Sequence, residues 1–95
     1  MAMLRSSATN SEHAENFLKE TAAIFRNVDN GPEILGPVPA PMEKKAGRYR
    51  WQLLLQTPDR AKLHQAISQY LPRIRALKSS KRVRWSIDVD PIDLG

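Results

Sequence analysis

The chain is predicted to fold as an α+β domain whose elements run β-α-β-β-α-β. Three observations carry this reading. Two runs, residues 48–56 and 82–90, alternate apolar and polar side chains with the period of an extended strand. Two others, residues 11–27 and 58–77, repeat apolar residues at helical spacing. Between the first helix and residue 48 lies a segment with three alternating prolines, which reads as an extended strand at a sheet edge.

A chain of 95 residues has room for one domain and one modest core. Its hydrophobic share of 41% and charged share of 26% fit a globular protein rather than a disordered tract. It contains no cysteine, which excludes a disulfide framework and a thiolate metal site and fits a reducing compartment. No apolar run approaches the roughly 20 residues of a membrane span, and the N-terminus lacks the apolar segment of a secretory signal. A cytoplasmic location with no membrane partner is expected. The net charge of +5 fits either simple solubility or an anionic partner such as nucleic acid. Clustering favours the partner: Lys44, Lys45, Arg48 and Arg50 lie close together, as do Lys78, Lys81, Arg82 and Arg84.

The first strand, Leu4-Arg5-Ser6-Ser7-Ala8, carries the weakest signal. Thr9 is a candidate N-cap with Glu12 in capping-box position, and Asn10 and Ser11 could also cap. Ala14, Phe17, Leu18, Ala22, Phe25 and Val28 form the apolar stripe of the first helix. Asp29-Asn30-Gly31-Pro32 ends it, because Asn and Gly tolerate positive φ and Pro cannot continue a helix. In residues 33–42, Pro37, Pro39 and Pro41 alternate. In an extended chain they remove N–H donors from one side only and leave the other able to pair. A polyproline II segment outside the sheet is the alternative. Residues 43–47 read as a hairpin turn.

Thr57 is then a candidate N-cap, with Pro58 at the first helical position and Asp59 at the positive end of the dipole. Leu63, Ile67, Tyr70, Leu71, Ile74 and Leu77 form the second apolar stripe, and Pro72 inside it is expected to kink or divide the helix. Lys78-Ser79-Ser80-Lys81 is a turn, and Pro91 stops the last strand. This order is the split, ferredoxin-like arrangement: a four-stranded antiparallel sheet with both helices on one face and the second and fourth strands at the edges. In the strand at 48–56, Tyr49, Trp51, Leu53 and Leu55 share one face and Arg48, Arg50, Gln52 and Gln56 the other, with Leu54 the exception. In the strand at 82–90, Val83, Trp85, Ile87 and Val89 oppose Arg82, Arg84, Ser86, Asp88 and Asp90. The Trp-bearing faces are expected under the helices, with the Arg-x-Arg faces open.

Catalytic motifs are missing. There is no Gly-x-x-x-x-Gly-Lys-Ser/Thr phosphate loop. His13 and His64 sit on different helices without a ligand at metal spacing. The serine pairs lack the strand-turn-helix setting of a nucleophile. An acylphosphatase-like reading fails for want of a Gly-rich anion loop after the first strand. Asp88, Asp90 and Asp93 read as solvated or ion-paired beside arginines. Tryptophans under the helices cannot stack on bases as the aromatics of single-stranded RNA-binding versions of this fold do. Arginines on the open face point to phosphate contact without base reading, with a plainly solvated outer face as the alternative.

Leu35-Gly36-Pro37-Val38-Pro39-Ala40-Pro41, Gly47-Arg48-Tyr49-Arg50-Trp51-Gln52-Leu53-Leu54-Leu55-Gln56 and Val83-Arg84-Trp85-Ser86-Ile87-Asp88-Val89-Asp90-Pro91 closely resemble the C-terminal domain of the PriA family, the bacterial primosomal helicases also called primosomal protein N′. The resemblance covers residues 4–95 and is strongest from Leu35 onward. It implies a ribosomal S10-like domain, non-catalytic by itself, of a longer ATP-dependent helicase that restarts replication at abandoned forks. ATP and zinc would belong to the region upstream, and this domain would need no cofactor. The expected partners are forked and single-stranded DNA, the helicase core, other primosome proteins and the acidic C-terminal tail of single-stranded DNA-binding protein (SSB). Lys44, Lys45, Arg48, Arg50, Arg82 and Arg84 are the candidate DNA contacts. The resemblance also places the SSB-tail site at the start of the second helix, on Arg60 and His64. The family commonly has Gln where this chain has His64. A protein-docking module that packs on the core and receives SSB is the alternative function.

Overall fold

A computed structural model describes residues 1–28, 31–45 and 47–89, with residues 41–45 described by their backbone. Strand β1 spans Ala2–Ala8, helix α1 Ser11–Arg26, strand β2 Glu33–Lys45, strand β3 Arg48–Gln56, helix α2 Arg60–Ala76 and strand β4 Arg84–Val89. The sheet order is β2-β3-β1-β4, and β1–β3, β1–β4 and β2–β3 are all antiparallel. The α+β, split ferredoxin-like expectation is therefore met, with β2 and β4 at the edges. No described helix is long and apolar enough to cross a membrane.

Strand β1 carries the weakest strand signal in the sequence and yet occupies an interior position. Its alternation explains this. Ala2, Leu4, Ser6 and Ala8 are buried beneath the helices, while Met3, Arg5 and Ser7 turn to the other face. Leu4, Leu53 and Leu55 meet Phe17, Leu18 and Phe25 of α1 and Leu63 and Ile74 of α2 in one core. The buried Ser6 hydroxyl donates to the Ala14 carbonyl at 2.8 Å, and the Thr21 hydroxyl to that of Phe17 at 2.9 Å. Both polar groups are thus satisfied where an unpaired one would cost about 1–3 kcal/mol.

Both tryptophans pack against this core, as their strand positions predict. Trp51 Nε1 donates to Ser11 Oγ at 2.9 Å, which ties β3 to the start of α1. The Trp85 ring lies 5.3 Å from that of Phe17. On α2, Tyr70 meets Phe25 edge-on at 5.8 Å, and Arg73 stacks over the Tyr70 ring at 5.6 Å.

Several boundaries differ from expectation, each for a local reason. The N-cap of α1 is Asn10, whose Oδ1 accepts from the Glu12 N–H at 2.9 Å; the Ser11 hydroxyl is engaged by Trp51 instead. The N-cap of α2 is Asp59, two residues beyond the expected Thr57. Its carboxylate accepts from the N–H groups of Ala61 and Lys62 at 2.9 and 3.2 Å, while Thr57 Oγ1 accepts from Asp59 N–H at 3.4 Å. Pro72 does not divide α2. Pro72 offers no N–H to the Ser68 carbonyl, but Ser68 is exposed and water can serve it.

Residues 78–82 are the main correction. The Ser80 hydroxyl donates to the carbonyls of Leu77 at 2.6 Å and Arg75 at 3.2 Å, and the Ser80 N–H to Leu77 at 3.0 Å. These local bonds tighten the connection into a 3₁₀ helix, Lys78–Arg82, so β4 begins at Arg84 and not at Arg82. Strand β2 runs to Lys45 instead of giving way to a turn at 43. Asp29, Asn30, Ala46, Asp90, Pro91 and Asp93, on which predicted stop signals, turn and tail fall, lie outside the described residues.

Two substitutions probe this fold. Phe17→Ala, which empties a fully buried site against Trp85, is expected to lower stability by about 3–5 kcal/mol in urea unfolding. Asp59→Ala is expected to cost about 1 kcal/mol, since it removes a cap and leaves the core untouched.

Candidate nucleic-acid interface

Strand pairing alone assembles the open face. The register sets Arg50 and Arg84 on either side of Ser7, and Gln52 and Ser86 on either side of Arg5. One step further, Leu54 and Asp88 flank Met3. Since successive residues alternate faces, these rows share the side away from the helices. Adjacent strands lie about 4.8 Å apart, so the Arg50 and Arg84 backbones sit roughly 10 Å apart across Ser7. Between them is a shallow depression of about 260 Å³ lined by Arg5, Ser6, Ser7, Arg50, Arg84, Trp85 and Ser86.

Side-chain bonds hold parts of this face in place. Arg48 reaches back across the end of β1, where Nη2 donates to the Ser7 carbonyl at 2.9 Å and Nε to Ser7 Oγ at 3.3 Å. Arg5 forms an ion pair with Asp88 across β1 and β4. Asp88 is thus ion-paired, and its partner is a residue of β1, not of its own strand.

The sequence-predicted residues are only partly brought together. Arg48, Arg50 and Arg84 converge on the open face at one end of the sheet, where β1 ends and β3 and β4 begin. Arg82 does not join them. It lies in the 3₁₀ helix and lines a cleft beside α1. The backbones of Lys44 and Lys45 pair with Tyr49 and Arg48, and their side chains lie outside the described residues. Arg60 and His64 are both exposed, one turn apart at the start of α2. They belong to the opposite end, because β3 carries the chain about 20 Å from Arg50 to Gln56 before α2 begins.

Arg5 was missed as a site residue. Its signal was available: it sits between Leu4 and Ser6 in the alternation of β1, and pairing that strand between β3 and β4 centres it on the open face. On the β2 side of that face, apolar residues gather. Leu35 pairs with Leu54, Val38 with Gln52, and Leu35 and Val38 remain 43% and 46% exposed. Among the described residues no group of three or more His, Cys, Asp or Glu side chains is placed to hold a metal.

Residues 1–92 match the family described as Primosomal protein N C-terminal domain. The chain belongs to this family. It is 45% identical to Replication restart protein PriA of Haemophilus influenzae over 94 residues, which cover 98% of this chain and 13% of that protein. It is 35% identical to the protein of the same name from Synechocystis over 95 residues, covering 99% of this chain and 11% of the relative. A third relative of that name, from Buchnera aphidicola, is 34% identical over 58 residues, 61% of this chain and 8% of the relative. The chain therefore spans about an eighth of the length of the first of these relatives.

The Arg5–Asp88 pair is open to solvent, with side chains 43% and 44% exposed. Asp88→Asn is accordingly expected to change unfolding stability by less than about 1 kcal/mol at moderate salt, measured by urea denaturation.

Proposed function

We propose that this domain is a DNA-binding module that engages forked and single-stranded DNA through phosphate contacts on its open sheet face. The observation that carries the reading is the row Arg50–Ser7–Arg84, with Arg5 and Arg48 beside it, on strands whose two tryptophans pack against the core. Guanidinium groups neutralise phosphates, and their planar fork of donors can bind two phosphate oxygens at once. Without aromatic platforms, such a face holds the backbone and leaves the bases unread. Indifference to sequence suits a restart protein, since a fork can stop at any sequence. In this reading the domain performs no chemistry itself, and any ATP-driven motor resides in the remainder of the longer protein.

A second reading is favoured by the apolar residues of the same face. Exposed Leu35 and Val38, next to Leu54 and Met3, form a surface suited to packing on another domain, such as a helicase core. Arg60 and His64 would then receive the acidic tail of SSB at the far end, where a guanidinium can pair with a terminal carboxylate.

Fluorescence anisotropy with a labelled fork, a single strand and a duplex separates the two readings. Arg50→Glu combined with Arg84→Glu is expected to weaken single-strand binding about tenfold or more at low salt and to flatten its salt dependence. Unchanged affinity in a folded double variant would remove the open face from DNA binding and leave the docking reading in front.

A further inference from the structure

The helix side of the domain carries a second basic cleft. It has a volume of about 230 Å³ and is lined by His13, Asn16 and Glu20 of α1 and by Lys78, Ser79 and Arg82 of the 3₁₀ helix. Its floor is fixed. Ser79 Oγ donates to Glu20 Oε2 at 2.6 Å, fastening the turn to α1, and the Ser80 bonds to Leu77 and Arg75 hold the turn's shape. Lys78 and Arg82 are exposed and offer their charges to the cleft, with the Asn16 amide as a neutral donor beside them. The single carboxylate, Glu20, is engaged as the anchor of the turn.

The position of this cleft matters as much as its charge. Arg82 and Arg84 are separated by Val83, whose backbone is extended, so their Cα atoms lie about 7 Å apart. Arg84 belongs to the open-face row and Arg82 to the cleft beneath. Basic groups thus continue from the open face around the start of β4 to the helix side. Among the described strands β4 pairs with β1 alone, so nothing in the sheet blocks that edge.

We infer that the α1–3₁₀ cleft is a second phosphate subsite, which takes the backbone of a single DNA strand after it has crossed the open face and turned around β4. The inference rests on the open-face reading and adds the path of contact to it. A single strand is required, because a duplex is too stiff to bend around one strand edge. A short strand satisfies the open face alone, whereas a longer one reaches both subsites.

The test compares single strands of about 6 and about 16 nucleotides, which bracket common single-strand site sizes, by anisotropy across a salt series. Lys78→Ala with Arg82→Ala is expected to leave the short strand's affinity unchanged. For the long strand it should lower the slope of log affinity against log salt by about 1.4, at roughly 0.7 per lost contact. Lys62→Ala, on α2 and away from both surfaces, should change neither strand. The inference is overturned if wild-type affinity does not rise with length. It also falls if the double variant loses both lengths equally, or if Lys62→Ala matches its effect. Hexaglutamate that binds the wild type and is lost in the double variant, while the long strand is retained, would reassign the cleft to an acidic polypeptide. The Arg50→Glu/Arg84→Glu variant keeps the two readings apart. If it leaves both lengths unchanged, the open-face function fails by itself.

Discussion

The register of β1 between β3 and β4 is the constraint on which the rest depends. It places Trp51, Ser6 and Trp85 in one row beneath α1. Each member is fastened to that helix by a different interaction: Trp51 by its bond to Ser11, Ser6 by its bond to Ala14, and Trp85 by its ring against Phe17. A slip of one residue would turn every side chain of β1 to the opposite face. Arg5 would then be driven into the core beside Phe17, and the cost of burying an unpaired guanidinium forbids it. Because the Trp51–Ser6–Trp85 row is fixed from below, the next row, Arg50–Ser7–Arg84, is fixed on the outer face. The placement of the basic row is therefore a consequence of core packing and requires no separate ordering of its side chains.

The two edges of the sheet are managed differently. Strand β2 is broken by register shifts between Leu35 and Val38 and again between Pro39 and Lys44. Gly36 sits at the first shift with φ of 105°, and a Cβ there would lie 3.1 Å from the Gln52 carbonyl oxygen. Prolines and bulges together deny this edge to a further strand. Strand β4 has a regular register along its described length and no proline within it. Its protection comes from charge at Arg84 and Asp88 and from its short span of six residues.

Much of this was legible in the sequence because it rests on period and polarity. The alternation in residues 48–56 and 84–89 gave the faces of β3 and β4 directly, and alternate prolines marked β2 as an edge. What escaped depends on contacts between distant residues. Of the three candidate caps Thr9, Asn10 and Ser11, Asn10 serves, and the neighbouring Ser11 is claimed by Trp51, a residue 40 positions away. Arg82 matched the strand alternation, but three hydrogen bonds centred on Ser80 drew it into the 3₁₀ helix. Asp88 was read against the arginines of its own strand, whereas its partner, Arg5, comes from the opposite end of the chain. In each case local pattern gave the type of residue, and a tertiary contact decided its role.

The division of the open face follows from the same sheet geometry. Arg48, Arg50 and Arg84 gather where β3 and β4 begin, because antiparallel pairing sets both starts beside the end of β1. Leu35, Val38, Leu54 and Met3 lie toward the other half. Between the two groups the Arg5–Asp88 pair neutralises its own charges, so the remaining guanidiniums are kept from the apolar residues, which would otherwise desolvate them. Separation lets the basic end remain hydrated, as the proposed phosphate contact, driven by release of counterions from the nucleic acid, would require. It lets the apolar residues gain from burial, at about 25 cal/mol per Å² removed from water. On the proposed reading, one sheet face can therefore hold DNA at its basic end while its other half rests on protein. Salt would weaken the first contact strongly and the second little. A domain joined to a larger protein in this way can release DNA without leaving its own scaffold.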